Sequence, residues 1–230
     1  MKVELISYSQ GPWTEVMGVE VNDKKNLLDQ IAYAARVSNP ANQNNNESAE
    51  KLVRYLIKNA HWSPLEMVNV CLEIETTRDI ARQILRHRSF SFQEFSQRYA
   101  VADLDYEFKE CRLQDTKNRQ NSVTLDGSDD HRRLAYQWEN MQKNIRMITN
   151  DTYQWAIEHG IAKEQARAVL PEGITGSRMY MNGTLRSWVH YIQLRSANGT
   201  QKEHQRIALD CADVIEPIFP MIKELINEQP

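Results

Sequence analysis

Cysteine is scarce in this chain, and the three present, Cys71, Cys111 and Cys211, are odd in number, far apart and in no Cys-x-x-Cys spacing. That excludes a disulfide framework and a zinc ribbon, and leaves reduced, structural thiols. None of the six histidines falls into a His-Glu-x-x-His or similar pair, so no structural metal is expected. There is no GxGxxG and no P-loop, which removes the Rossmann device for binding a dinucleotide. Apolar runs fall short of membrane-spanning length, and Met1-Lys2-Val3-Glu4-Leu5-Ile6 carries no long apolar region behind a basic start. The expected location is cytoplasmic, with no membrane partner. Net positive charge is absent too: at −3, the chain lacks the global field that drives non-specific nucleic-acid binding, so any anion site must be local.

No Gly/Pro/Ser-rich linker divides the 230 residues, and a single domain over 1–230 is expected. Hydrophobic residues at 41% and charged residues at 26% describe an ordinary globular protein. Periodicity predicts strands at 2–8 and 67–76, with a turn at Gly11-Pro12 after the first. Helices are predicted from near Asn22-Asp23 to Ser38, over 47–59 with Leu52, Tyr55 and Leu56 buried, and over 78–85. Residues 99–112 read as extended and 113–130 as polar, with 115–122 as a mobile loop. Ser128 can cap a long helix that Gly160 closes, its apolar side chains available to a core or a subunit contact. A short helix or turn at 162–170, an extended run at 173–182, and helices at 184–195 and 201–215 follow. Leu185, Trp188, Val189 and Ile192 face the core in the first of those helices, with Arg186, His190 and Gln193 on the opposite flank.

The densest chemistry lies at 86–98, Arg-His-Arg-Ser-Phe-Ser-Phe-Gln-Glu-Phe-Ser-Gln-Arg. Three guanidinium groups repel one another unless an anion sits among them, and each holds a phosphate through charge-assisted hydrogen bonds worth about 1.5 to 3 kcal/mol. Ser91 and Ser96 offer hydroxyls, Glu94 can accept from a ribose hydroxyl or a ring N–H, and the phenylalanines can pack or stack. The combination suits a nucleotide. A solvated basic turn with core phenylalanines is a second reading, and a nucleic-acid-binding module that stacks bases on the loop is a third.

Arg86, His87, Arg88, Ser91, Ser96 and Arg98 match without a gap the signature motif of the flavin-dependent thymidylate synthases, and the chain resembles that family over most of its length. Ala35-Arg36-Val37-Ser38, His61-Trp62-Ser63-Pro64-Leu65-Glu66, Ala166-Arg167-Ala168-Val169-Leu170-Pro171 and the segment from Thr184 to Arg195 resemble further family elements. Thr184 departs from the family's usual Asn. The cysteines do not resemble the Pro-Cys-His element of the cysteine-dependent synthases.

The resemblance implies an α+β fold, a mixed β-sheet flanked by helices, in a homotetramer whose sites form where subunits meet. It implies reductive methylation of dUMP to dTMP, with methylenetetrahydrofolate as carbon donor, FAD as redox carrier and NADPH as reductant. It assigns dUMP to Gln83, Arg86, Glu94, Ser96, Arg98, Arg167 and Arg195, with Arg195 the catalytic residue that activates the base. It assigns FAD to Ser38, Ser63, Arg86, His87, Arg88, Glu94, Arg186 and His190, so that Arg86 and Glu94 bridge both ligands.

Overall fold

The structure, a computed structural model, describes residues 1–11, 14–16, 19–21, 26–102 and 106–227. Pro12, at the expected turn, and the helix start expected near Asn22-Asp23 lie outside them.

Strand β1 (Lys2–Tyr8) and a small hairpin of β2 (Thr14–Val16) with β3 (Val19–Val21) precede helices α1 (Leu27–Ala35) and α2 (Ala49–Lys58). Strand β4 (Asn69–Thr77) runs straight into α3 (Arg78–Ile84), and β5 (Phe90–Glu94) follows. A second hairpin, β6 (Arg112–Gln114) with β7 (Ser122–Thr124), leads to the long α4 (Asp129–Glu158) and the single turn α5 (Lys163–Ala166). Strand β8 (Gly176–Thr184) then runs into α6 (Leu185–Ser196), followed by α7 (Lys202–Ile215) and α8 (Ile222–Asn227).

The central sheet has the order β1-β4-β8-β5. Every pairing in it is antiparallel, where the resemblance implied a mixed sheet. The class is α+β, as expected. Alternation explains the layering: Val70, Leu72 and Ile74 of β4 and Met179 and Met181 of β8 are fully buried on one face, while Glu73, Glu75, Arg178 and Tyr180 point to the other. Onto the buried face pack Trp188, Val189 and Ile192 of α6 and Ile207, Ala208 and Cys211 of α7, all fully buried. Each large apolar side chain enclosed this way contributes roughly 1.5–3 kcal/mol.

Two expectations need correction. In α2 Leu56 is buried and Leu52 packs against the core as expected, but Tyr55 is 57% exposed, and Ala49 and Val53 complete the inward face in its place. The polar loop at 113–130 holds the β6–β7 hairpin, whose turn is organised by Asp115: its carboxylate accepts from the backbone N–H groups of Lys117 and Asn118 and from the Asn121 side chain. In α4, Ser128 caps the start by accepting from the His131 N–H. Tyr153 and Ala156 pack inward in that helix, and Gly160 at φ 73° lies beyond its end. Leu134, Trp138, Met141, Ile145, Ile148 and Trp155 leave an exposed apolar stripe along the helix.

Candidate active site

The stretch 86–98 is organised by the edge strand β5, in register with β8 from Phe90↔Gly183 to Glu94↔Met179. The expected loop is therefore a strand in its middle, and its two basic ends are held apart. Four residue steps at about 3.3 Å each put roughly 13 Å between Phe90 and Glu94. Arg86, His87 and Arg88 precede the strand, beside the end of α3, whereas Ser96 and Arg98 follow it at the opposite end. Phe90 and Phe92 pack against the core, the Phe90 ring meeting Trp188 edge-on at 4.9 Å, which removes both as platforms for stacking bases.

The first cluster joins α3, α6 and α7. Arg195, in the last turn of α6, donates from Nε to His87 Nε2 at 2.9 Å. The His87 ring stands edge-on to Tyr191, 4.9 Å between centroids. Burial, and then the neighbouring Arg195 charge, push the His87 pKa down to about 4. Gln83 lies beside them, half-buried, its amide between Gln201 at 2.8 Å and His204 Nδ1 at 3.2 Å. His204 Nε2 meets the Tyr191 hydroxyl at 3.1 Å, and both residues are buried. Gln201 donates in turn to Glu203 at 3.0 Å, and Arg112 of β6 reaches the same carboxylate at 2.5 Å.

A second cluster forms at the start of α6. Thr184 is the N-cap of that helix, accepting the Ser187 N–H at 3.2 Å, which accounts for the hydroxyl residue found there. Arg186 pairs with Glu66. The Trp62 ring stands edge-on to His190 at 5.0 Å, and burial foremost, then Arg186, lower the His190 pKa while Glu66 opposes them. Ser63 is exposed in the same 3₁₀ turn as Glu66, Ser63–Met67. Ser38 lies exposed beyond the end of α1.

At the far end of β5, Glu94 accepts from the Ser177 hydroxyl at 2.8 Å and faces the buried Arg78 at 3.6 Å. Arg98 pairs with Glu164 of α5 at 3.3 Å, and Arg167 opens the 3₁₀ turn that continues α5. A cleft of about 310 Å³ opens at this end of the strand, walled by Thr76, Phe95, Gln97, Ser177 and Arg178; Glu94, Ser96, Arg98 and Arg167 do not line it. The candidate residues thus form three clusters in one chain. Gln83, His87 and Arg195 meet in one, Ser63, Arg186 and His190 in another, and Glu94, Ser96, Arg98 and Arg167 fall at or near the far end of β5.

Among the described residues, Arg86, Arg88, Arg167 and Arg195 have no carboxylate partner, which leaves their guanidiniums available to a bound anion. Sequence reasoning missed Arg78, Arg112, Tyr191, Gln201, Glu203 and His204. Glu203 gave no signal, because an acidic residue in the first turn of a helix is accounted for by the helix dipole alone. Among the described residues, no helix is long and apolar enough to cross a membrane, and no cluster of His, Cys, Asp and Glu could hold a metal.

Comparison with known proteins places this arrangement. Residues 21–221 match the family model described as "Thymidylate synthase complementing protein". The chain is 47% identical over 197 residues, 86% of its length and 89% of the relative's, to a "probable flavin-dependent thymidylate synthase" of Paramecium bursaria Chlorella virus 1. It is 48% identical over 193 residues, 84% of its length and 86% of the relative's, to the flavin-dependent thymidylate synthase of a Synechocystis strain. Among solved structures, a UMP/dUMP methylase, PolB from Streptomyces cacaoi bound with 5-Br dUMP, shares the fold with a TM-score of 0.77 at 24% identity, covering 98% of this chain and 94% of that one. The matched span and the level of identity decide the matter: this chain belongs to the flavin-dependent thymidylate synthase family.

Proposed function

We propose that the chain, acting as one domain over residues 1–230, methylates dUMP to dTMP with FAD as redox carrier, methylenetetrahydrofolate as carbon donor and NADPH as reductant. The observation that carries this reading is Arg195. Its Nε is taken by His87 at 2.9 Å, and among the described residues its two terminal amino groups make no bond. They are free to meet a planar acceptor edge.

The residues fit a flavin dinucleotide in their donor chemistry. Arg86 and Arg88 are exposed guanidiniums without carboxylate partners, as a pyrophosphate needs. With Ser38, Ser63, His87, Glu94, Arg186 and His190 they would hold FAD, which when bound supplies two-electron redox chemistry.

The remaining steps belong to the chain. C5 of uracil is a weak carbon nucleophile, and it gains electron density when negative charge developing at N3 and O4 is stabilised. Arg195 supplies that stabilisation electrostatically, because a guanidinium is too weak an acid to serve as a proton-transfer group near neutral pH. His87 fixes the direction of Arg195 through Nε2. Gln83, Arg86, Glu94, Ser96, Arg98 and Arg167 hold the nucleotide, the arginines at its phosphate and Glu94 at its ribose.

Since these groups stand apart within one chain, the reading requires a homotetramer in which one subunit's cleft end meets another's Arg195 cluster. The exposed apolar stripe of α4 supports a subunit contact. The experiment is an absorption spectrum of the purified protein followed by turnover of dUMP with methylenetetrahydrofolate and NADPH. A yellow protein that forms dTMP is expected; a colourless protein, or a yellow one that consumes NADPH without a dUMP requirement, overturns the reading.

A further inference from the structure

Gln83 is joined to a buried chain of hydrogen bonds whose direction is fixed at one end. Glu203 is 8% exposed and pairs with Arg112, whose side chain is also largely enclosed. Burial alone would favour the neutral acid. The backbone N–H, Arg112 and Gln201 outweigh it and lower the Glu203 pKa, so the carboxylate is ionised and can only accept.

From that end the donors and acceptors follow in order. Gln201 must turn its Nε2 to Glu203, at 3.0 Å, and therefore its Oε1 to Gln83. Gln83 must answer with Nε2, at 2.8 Å, and so turns its Oε1 to His204, at 3.2 Å. His204, fully buried, must carry its proton on Nδ1, which leaves Nε2 to accept from the Tyr191 hydroxyl at 3.1 Å. No member of the series can reverse without placing two donors or two acceptors face to face, at a cost of about 1–3 kcal/mol for each group left unsatisfied.

We infer that the Glu203 carboxylate, acting through Gln201 and His204, pins the Gln83 side-chain amide in one orientation and so makes Gln83 a determinant of uracil over cytosine. This rests on the reading of Gln83 as a dUMP contact. With its two network bonds made, the amide retains one N–H and one carbonyl lone pair. That pair matches the adjoining imide N–H and carbonyl of uracil. Cytosine presents an acceptor and an exocyclic amine instead, and meets the same amide only if it is flipped. Glu203, Gln201 and His204 are positioning residues.

Glu203→Gln tests this directly, because a carboxamide both donates and accepts and no longer dictates the direction. The flavin-loaded protein is titrated calorimetrically with dUMP and with dCMP. The wild type is expected to prefer dUMP, and in Glu203→Gln that preference should fall about tenfold, the worth of one well-placed hydrogen bond.

Two variants at His204 separate positioning from packing. Asn places an amide donor at the Nδ1 position and keeps the bond to Gln83. Gln reaches the Nε2 position, keeps an acceptor for Tyr191, and loses the donor to Gln83. Each gives up one buried bond, so a merely structural role predicts equal effects. The expected result is a dUMP KM within about twofold of wild type for His204→Asn and raised about tenfold for His204→Gln, with kcat little changed in both. An unchanged base preference in Glu203→Gln, or equal KM shifts in the His204 pair, overturns the inference while leaving the synthase reading intact. Absence of dUMP binding by the wild type overturns both.

Discussion

Arg195 and His87 are 108 positions apart in sequence and share one hydrogen bond, Arg195 Nε to His87 Nε2 at 2.9 Å. Because a guanidinium only donates, His87 must be the neutral tautomer with its proton on Nδ1. The bond fixes the heading of Arg195 and keeps a second positive charge out of the cluster.

The His87 ring should therefore resist protonation. Burial and the Arg195 charge hold its pKa at about 4. Replacing Arg195 with Ala removes the second cause and leaves the first, so the pKa should rise toward the ordinary value of 6.5 without reaching it. An NMR titration of the ring in both proteins measures the change. An equal pKa in the two would show that Arg195 does not act on His87 electrostatically.

Stability should depend on acid through the same histidines. His87 and His204 are lowered in the folded chain to about 4 and about 3, from 6.5, by burial first and Arg195 second, with His87 adding to the effect at His204. Between 6.5 and those values the unfolded chain binds more protons, so folding is favoured fully above 6.5 and weakens as pH falls. The thermal midpoint is expected to be flat with respect to histidine titration above that point and to drop toward pH 4. In His204→Asn the drop should be shallower, as scanning calorimetry across the range would reveal.

Arg98 separates binding from folding. Its pair with Glu164 is 3.3 Å long, with side chains 56% and 49% exposed, and such pairs are worth about 0–1 kcal/mol. Arg98→Ala should leave the urea midpoint nearly unchanged while raising the dUMP KM about tenfold or more through a lost charge-assisted bond. A large stability loss with unchanged KM would make Arg98 a structural residue.

Gly183 is a point of close approach between β8 and β5. A Cβ there would lie 2.4 Å from Cδ1 of Phe90, a ring that is already packed against Trp188. Gly183→Ala should therefore cost about 1–3 kcal/mol by overpacking and, by moving Phe90, disturb the Arg86–Arg88 turn. The measurement is a denaturant midpoint together with flavin content. Wild-type values for both would show that β5 yields without consequence.

Some of this was readable in the sequence because it is set locally. The spacing of Leu185, Trp188, Val189 and Ile192 specifies the buried face of α6, and all four are fully buried. Alternation marks β4, and Ser128 and Gly160 mark the limits of α4. What could not be read depends on distant partners. β5 exists because β8 lies beside it. The β6–β7 turn depends on Asp115 bonding within a polar segment that resembles a free loop. α2 carries apolar residues on two phases, and only its neighbours decide that Val53 rather than Tyr55 turns inward. The motif at 86–98 named the chemistry without revealing that a strand divides it, and nothing local links Glu203 to Gln83.

The central claim is that guanidinium groups from different subunits converge on one dUMP, and co-expression of two defective chains tests it. Arg195→Ala alone should give no turnover, and Arg98→Ala combined with Arg167→Ala should give almost none at low dUMP. In mixed tetramers isolated through two affinity tags, sites that draw Arg98 and Arg167 from one chain and Arg195 from another would be intact in about a quarter of cases under random pairing. Recovery of roughly that fraction of wild-type dTMP formation is the expected result; turnover no greater than the sum of the separate variants would contradict the account.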